Sequence, residues 1–396
     1  MLSVEQALEK LLSAAQPVTD VEPVDTMQAH GRVLATAVVS AIDVPPLDNS
    51  QMDGYAVRTA DVPAIPTTLR ISQRIAAGQV GTSLEPGTAA RIFTGAPIPA
   101  GADAVVMQEK CEAVGDKVTL HERPPPGEAI RRVGIDVGRG DVVLGPGVRL
   151  RPQHCALAAS VGAARLTVRR RLRVATLFTG DELVMPGEPL PQGSIYNSNR
   201  FMLRGLLESL GCEVNDLGIV PDDLQSTRAA LVRAAADADL IISSGGVSVG
   251  EEDHVKPAVQ AEGSLDLWQI AMKPGKPLAF GHVREVPFIG LPGNPVSSFV
   301  TFVLFARPFV LQRQGRIEPL HVIFMRADFD LHQSSRRREF MRARLNDRSG
   351  LDVFPNQNSS VLTSVTWADG LIDNPAEHLI HAGDIVRFLP FSELLS

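Results

Sequence analysis

The stretch IISSGGVSVGEED, Ile241–Asp253, sets the reading of the whole chain. It opens as a buried strand, turns through a glycine-rich loop and ends in the acids Glu251, Glu252 and Asp253. Backbone N–H groups of a glycine-rich loop gather around anions, whereas carboxylates repel them. A phosphorylated ligand that carries its own metal satisfies both, because Mg²⁺ is held through one or two carboxylates plus phosphate oxygens. Two plainer readings stay open. The loop has neither the GK[ST] of a P-loop nor GxGxxG, so it also fits a tight left-handed turn. Asp253 also fits a charge at a helix N-terminus.

Outward from this stretch, strand and helix alternate. Strands are expected at LRVATLF (Leu172–Phe178), EVNDLGIV (Glu213–Val220), ADLIISS (Ala238–Ser244), PLAFGHV (Pro277–Val283) and VPFIGL (Val286–Leu291). Helices are expected at Asn199–Gly211, at Leu224–Asp237, after Asp253 and after Pro295. Several strands are apolar throughout, the mark of a parallel, doubly wound α/β sheet covered on both faces. Ligands on such sheets sit at the carboxyl ends of the strands. Three loops fall there: FTGDEL (Phe178–Leu183), the glycine loop, and LPGNPVSS (Leu291–Ser298). Between strands, MKPGKP (Met272–Pro277) holds Lys273 and Lys276 on a proline-stiffened turn, either as an anion grip or as two surface lysines.

The flanks have a different texture. SVEQALEKLLSAA (Ser3–Ala15) reads as an amphipathic helix with a Ser3/Gln6 capping box. A second short helix is expected to end near Gly31, then an extended run to Val44, broken by Pro45 and Pro46. Residues 47–140 show short strands between Gly and Pro turns, and Pro152 opens a helix. After about residue 317 the pattern is β again, at His321–Leu331, Arg338–Leu345 and Gly383–Leu389. The expected organisation is an elongated N-terminal domain (1–46 with 141–168), an inserted β domain (47–140), the α/β domain (169–316) and a C-terminal β-barrel-like domain (317–396).

The net charge of −7 and the 5% aromatic content argue against a nucleic-acid partner. Cys111, Cys155 and Cys212 form no CxxC pair, which suits reduced thiols in the cytoplasm. No signal peptide is read at the start. The apolar run Val296–Leu311 contains Arg307 and Pro308 and is short for a bilayer, so a buried helix is expected and no membrane partner. Two more stretches place Asp53 in DNSQMDGYAVR (Asp48–Arg58) and Thr94 in RIFTGAPIP (Arg91–Pro99). On spacing alone they read as an Asp-Gly turn and a half-buried strand threonine.

These stretches, with ADAVVMQE (Ala102–Glu109), TGDEL (Thr179–Leu183), KPGKP (Lys273–Pro277) and LPGNPVSS following in order, resemble the molybdopterin molybdenumtransferase family, the group of MoeA and the E domain of gephyrin. The resemblance implies an insertase that takes adenylylated molybdopterin, inserts molybdate at the dithiolene and releases AMP with Mg²⁺ present. It assigns functional roles to Asp53, Thr94, Asp136, Glu182, Asp222 and Asp253, with Glu182 and Asp253 on the metal. Substrate contacts fall on Ser244, Gly245, Gly246, Ser248, Gly250, Lys273, Lys276, Pro292, Asn294, Pro295, Ser297 and, in the Phe-x-Arg of Phe340, on Arg342. It further implies a homodimer in which Asp53 and Thr94 complete the partner's site, and an adenylyltransferase that delivers the pterin. The chain departs from the family at Asn197 (often Asp), Ile135 (usually Glu) and His254 (commonly Tyr). The Pro355–Ser364 loop lacks the usual glycines, which puts a serine contact there in question. Two other functions fit parts of the pattern: adenylylation of molybdopterin, and a gephyrin-like scaffold without catalysis.

Overall fold

The computed structural model describes residues 1–246, 254–316, 318 and 320–395. Its centre is a six-stranded sheet in the order Glu213–Val220, Arg173–Thr179, Leu240–Ser244, Val286–Leu291, Pro277–Val283, Gly263–Gln269. Alternate residues of the buried strands face opposite layers, as a period of two dictates. Val174, Phe178, Leu240, Ile242 and Ile289 join one core. Ala175, Leu177, Ile241 and Phe288 join the other. Helices Leu224–Asp237 and Val255–Glu262 cover that second face with Ala230, Leu231, Val255 and Val259.

The sheet is mixed, which corrects the expectation of a parallel one. The first four strands are parallel. The last two are antiparallel. The turn between Val283 and Val286 is too short for a crossover, so these strands form a hairpin, with Arg284 at φ 54°. The edge strand Gly263–Gln269 had no clear sequence signal. It is mostly exposed or half-exposed and so carries no apolar run.

The apolar run near residue 300 is a core helix. It runs as α-helix over Pro295–Thr301, widens to a π-turn over Phe302–Ala306 and resumes as Arg307–Arg313. Pro308 has no N–H to give a helical partner, and a widened turn is one way to accommodate that loss. Of the stretch's most apolar window, 83% is buried inside the protein. The first helix, Val4–Ser13, has its Ser3/Gln6 capping box. Ala7 and Leu11 enter the core of the α/β region rather than that of the elongated domain expected for residues 1–46.

Around this centre lie three β regions. Strand Val21–Asp25 pairs with Arg165–Arg169, and Val38–Val39 with Val142–Leu144, over a core of Leu34, Leu144, Leu150 and Val168. The short helix expected before Gly31 is a single turn, Thr26–Gln28. The β-branched Val21 and Val24 favour the strand Val21–Asp25 before it. The small β domain orders its strands Ala104–Met107, Gly54–Val57, Thr88–Ile92, Thr67–Ile75, Lys117–Leu120, Cys111–Val114. The C-terminal strands run Met272–Lys273, Arg338–Leu345, Gly370–Asn374, Ile385–Pro390, Ile323–Arg326, and Leu351–Val353 also pairs with Arg338–Leu345. A bridge from Ala327 to Leu351 closes them into a barrel-like ring. Met272–Lys273 thus belongs to the C-terminal sheet, so the MKPGKP turn ties that domain to the α/β domain.

Candidate functional site

The carboxyl ends of the parallel strands open onto a cleft of about 670 Å³. Glu182 and Asp222 line it, from the loops after the first and second strands. Lys273 and Lys276 line it from the MKPGKP turn, and Pro292, Asn294 and Ser297 from the LPGNPVSS loop. The two lysines differ. Lys273 Nζ sits 2.8 Å from Glu339, a carboxylate only 9% exposed. Lys276 Nζ has no hydrogen-bond or ion-pair partner among the described residues. Gly275, at φ 95°, presses this turn onto the core helix, where a Cβ would lie 2.5 Å from Thr301 Oγ1. The lysines therefore stand on a fixed turn.

The glycine loop is part cradle and part packing device. Gly245 and Gly246 have φ of 94° and 65° and line the cleft. A Cβ on Gly246 would meet Val255 Cγ2 at 2.3 Å, so only glycine fits. The Gly245 N–H is already bonded to the Leu291 carbonyl at 3.2 Å, so that donor is not free for an anion. Ser248, Gly250 and Asp253, with Glu251 and Glu252, lie outside the described residues.

Several expected contacts turn out to be supports. Ser244 is 3% exposed. Its hydroxyl accepts from Asn199 Nδ2 at 2.9 Å and donates to the Pro292 carbonyl at 3.1 Å, so it ties two loops together. Arg342 is 1% exposed and does not line the cleft. Its guanidinium donates to Ser364 Oγ at 3.0 Å, to the Phe340 carbonyl at 3.2 Å and to the Asn358 carbonyl at 3.4 Å. Burial pushes its pKa down to about 10, against the pull of nearby Glu339. Arg342 thus braces the loop that supplies Gln357, Asn358 and Ser359 to the cleft wall. Pro295 faces an adjoining pocket of about 550 Å³, shared with Asn197, Ser244 and Tyr196.

Sequence reasoning missed Arg337, Gln357 and Asn358, which all line the cleft. Arg337 Nη1 is anchored on the Met272 carbonyl at 3.2 Å. The glycine-poor loop keeps its serine in place after all. Asn294 Nδ2 donates to Ser359 Oγ at 3.2 Å, and the Val296 N–H donates to the Ser359 carbonyl at 3.0 Å. Asn356 and Asn358 side chains bond backbone N–H groups two residues on, doing with Asx turns what glycines do elsewhere. The signal was there in the alternating Asn of PNQNSS. Of the other departures, Asn197 caps the helix Ser198–Ser209 by accepting from the Arg200 N–H at 3.1 Å. Ile135 is exposed, and His254 immediately precedes the helix Val255–Glu262.

Asp53, Thr94 and Asp136 do not line this cleft. The first two meet in the small β domain. Asp53 Oδ1 accepts from both the Thr94 N–H and the Thr94 hydroxyl at 2.8 Å. Those two bonds, backbone first, hold the carboxyl below the usual aspartate range, and the Arg91 charge adds to them. Asp136 is exposed, and its backbone N–H bonds the Val44 carbonyl at 3.0 Å.

No group of three or more His, Cys, Asp or Glu gathers among the described residues. Two carboxylates, Glu182 and Asp222, nevertheless line the same cleft as the lysines. Hard oxygen donors that leave the remaining positions to phosphate and water fit Mg²⁺. The lining thus offers cations and carboxylates on one cleft, with one wall stiffened by a buried arginine, a donor set that suits a polyanion.

Comparison with known proteins agrees over nearly the whole length. Residues 2–162 match the MoeA N-terminal region (domain I and II). Residues 175–312 match a probable molybdopterin binding domain, and residues 325–391 the MoeA C-terminal region (domain IV). The chain is 40% identical to a molybdopterin molybdenumtransferase of Haemophilus influenzae over 100% of both chains. It is 37% identical to molybdopterin molybdenumtransferase 2 of Mycobacterium tuberculosis over 94% of each. Among solved structures, a molybdopterin biosynthesis MoeA protein from Pyrococcus horikoshii superposes with a TM-score of 0.82 at 31% identity, covering 99% of both chains.

Proposed function

The chain belongs to the MoeA family and is a molybdopterin molybdenumtransferase of molybdenum cofactor biosynthesis, and from that premise we propose how its cleft divides the work. The substrates are molybdate and adenylylated molybdopterin, and AMP is released. Lys276 grips the dianionic molybdate or the pyrophosphate, because its ammonium alone of the two lysines has no partner among the described residues. Lys273 and Arg337 add donors from the same wall. Mg²⁺, when bound, neutralises pyrophosphate charge. Glu182 would hold it, with Asp253 and with support from Asp222.

The observation that carries this reading is the meeting of Lys276, Lys273, Glu182 and Asp222 in one cleft at the carboxyl ends of the strands. The Asp53–Thr94 pair stands apart from it with one carboxylate oxygen engaged. We therefore assign that pair to the cleft of a partner subunit in a homodimer, with a separate adenylyltransferase delivering the pterin. The free cysteines Cys111, Cys155 and Cys212 suit a cytoplasmic setting.

One assay tests the proposal. Purified protein given adenylylated molybdopterin and molybdate should release AMP only when molybdate and Mg²⁺ are both present. Formation of adenylylated pterin from ATP and molybdopterin would instead make it the adenylyltransferase.

A further inference from the structure

We propose that Arg91 is a positioning residue for the reaction: it fixes the direction of the Asp53 carboxylate. The inference rests on the reading above in which Asp53 acts in catalysis.

Arg91 sits where three strands of the small β domain meet. It lies on Thr88–Ile92, directly across from Tyr55 on Gly54–Val57. Its guanidinium donates to the Gly54 carbonyl at 3.0 Å and to Gln108 Oε1 at 2.6 Å. The backbone N–H of Gln108 in turn bonds the Asp53 carbonyl at 3.0 Å. One side chain thus clamps the residue after Asp53 and the residue that holds Asp53 itself.

The other half of the pair is braced from the same point. The Arg91 guanidinium lies 4.6 Å from the centre of the Phe93 ring, and Phe93 is the residue before Thr94. It lies 5.1 Å from the Tyr55 ring, and Arg74 covers Phe93 at 4.5 Å. A planar cation between two rings is held by their faces as well as by its hydrogen bonds. A Cβ on Gly54 would lie 2.1 Å from the Val106 carbonyl oxygen, so the residue after Asp53 can only be glycine. Arg91 therefore ties together the two backbone segments that present Asp53 and Thr94, in addition to their own ladder bonds.

The chemistry follows from the geometry. Thr94 engages Oδ1 of Asp53 twice. Oδ2 has no partner among the described residues and is the oxygen left to act. Its aim depends on the two segments keeping their spacing. A misplacement of about 1 Å at such a group can cost roughly 100-fold in rate.

The test uses the full-length protein with Arg91→Gln, Arg91→Lys, Asp53→Asn and the Arg91→Gln/Asp53→Asn pair. Turnover is read as kcat and KM, and the Asp53 carboxyl is titrated by carbon NMR. Arg91→Gln should lower kcat by roughly 10- to 100-fold, leave KM for the adenylylated pterin near its starting value and raise the Asp53 pKa. Arg91→Lys keeps the charge but loses the fork, so it should restore the pKa more fully than the rate. In the Asp53→Asn background, Arg91→Gln should cost nothing further. Full kcat in Arg91→Gln overturns the inference while an inactive Asp53→Asn leaves the reading of Asp53 standing. A fully active Asp53→Asn sinks that reading instead. If Arg91→Gln fails to fold, Arg91→Lys decides alone: an unchanged rate overturns the proposal.

Discussion

The two ends of the central sheet treat charge in opposite ways. At the amino ends, Asp239 precedes its strand with a side chain 9% exposed. Arg170 forks onto it at 2.6 and 2.9 Å, and Arg173 adds its backbone N–H at 2.8 Å. At the carboxyl ends, Lys276 is left without a partner among the described residues, and Glu182 and Asp222 share its cleft. One end neutralises its charges internally, whereas the other leaves the Lys276 ammonium without a partner among the described residues. The same sheet thus separates what holds it together from what it acts with.

The strongest way to sharpen this contrast is to ask whether the reactive end is complete in one chain. If the Asp53–Thr94 pair serves a partner's cleft, Asp53→Ala and Glu182→Ala homodimers should both be nearly inactive. Mixed by subunit exchange, half the dimers are heterodimers, each with one doubly damaged and one intact site. About a quarter of wild-type activity should return under two-fold symmetry. Mass spectrometry confirms the exchange. No return of activity would place both residues in one chain's site and break the assignment of the small β domain.

The stabilising end is tested by Asp239→Ala. Removing the carboxylate leaves Arg170 and Arg173 without their shared partner. Breaking such a pair costs about 2–4 kcal/mol, discounted here because the arginines are partly exposed. Denaturant melts should show that loss, while kcat of the folded fraction stays unchanged. The acid limb follows with a fixed sign. Burial alone would raise the Asp239 pKa, but the arginine hydrogen bonds outweigh it and hold it near about 2. Its folded value is thus below the unfolded one, near 3.9. Its stabilisation is full above about pH 4 and is lost as pH falls toward 2. An acid melt unchanged by Asp239→Ala over that window would refute the pairing.

The contrast also marks what was legible in the sequence. The apolar strands and their helices were readable because burial on both faces leaves no polar alternation. Strands Pro277–Val283 and Val286–Leu291 begin and end where the pattern put them. The antiparallel edge Gly263–Gln269 was not readable, since a half-exposed strand has no such signature. In the site, Lys273 and Lys276 stood out through their prolines. Arg342 was readable as important but not in what it does, because only tertiary contacts show it behind the wall loop. The Asp53–Thr94 bond spans 41 positions, and spacing alone gave only a turn and a strand.

A smaller effect separates the two lysines. Lys276→Ala should weaken molybdate and AMP binding by about 1.5–3 kcal/mol, the worth of a hydrogen bond to a charged group. Lys273→Ala should cost less, because Glu339 already offsets that charge at 2.8 Å. Calorimetric titration orders them. Equal losses would mean that the ion pair opens when the ligand arrives, and the contrast between a paired and an unpaired cation would not survive binding.

The smallest expected effect on ligands concerns Asn197. The side chain sits at the reactive end, 2% exposed, and caps the helix Ser198–Ser209 through Oδ1. Asn and Asp cap about equally well, so the cap survives Asn197→Asp, while a carboxylate at a buried position should cost about 1–3 kcal/mol of stability by desolvation. Its effect on ligands has a sign. A new negative charge in the pocket that adjoins the cleft through Glu182 and Asn294 repels a phosphate or molybdate. The same charge adds a hard oxygen for a cation. Molybdate affinity without metal should therefore fall a few-fold, and Mg²⁺ should recover more of it than in the parent protein. If metal-free affinity is unchanged, Asn197 acts on the helix alone, and the reactive end stops short of it.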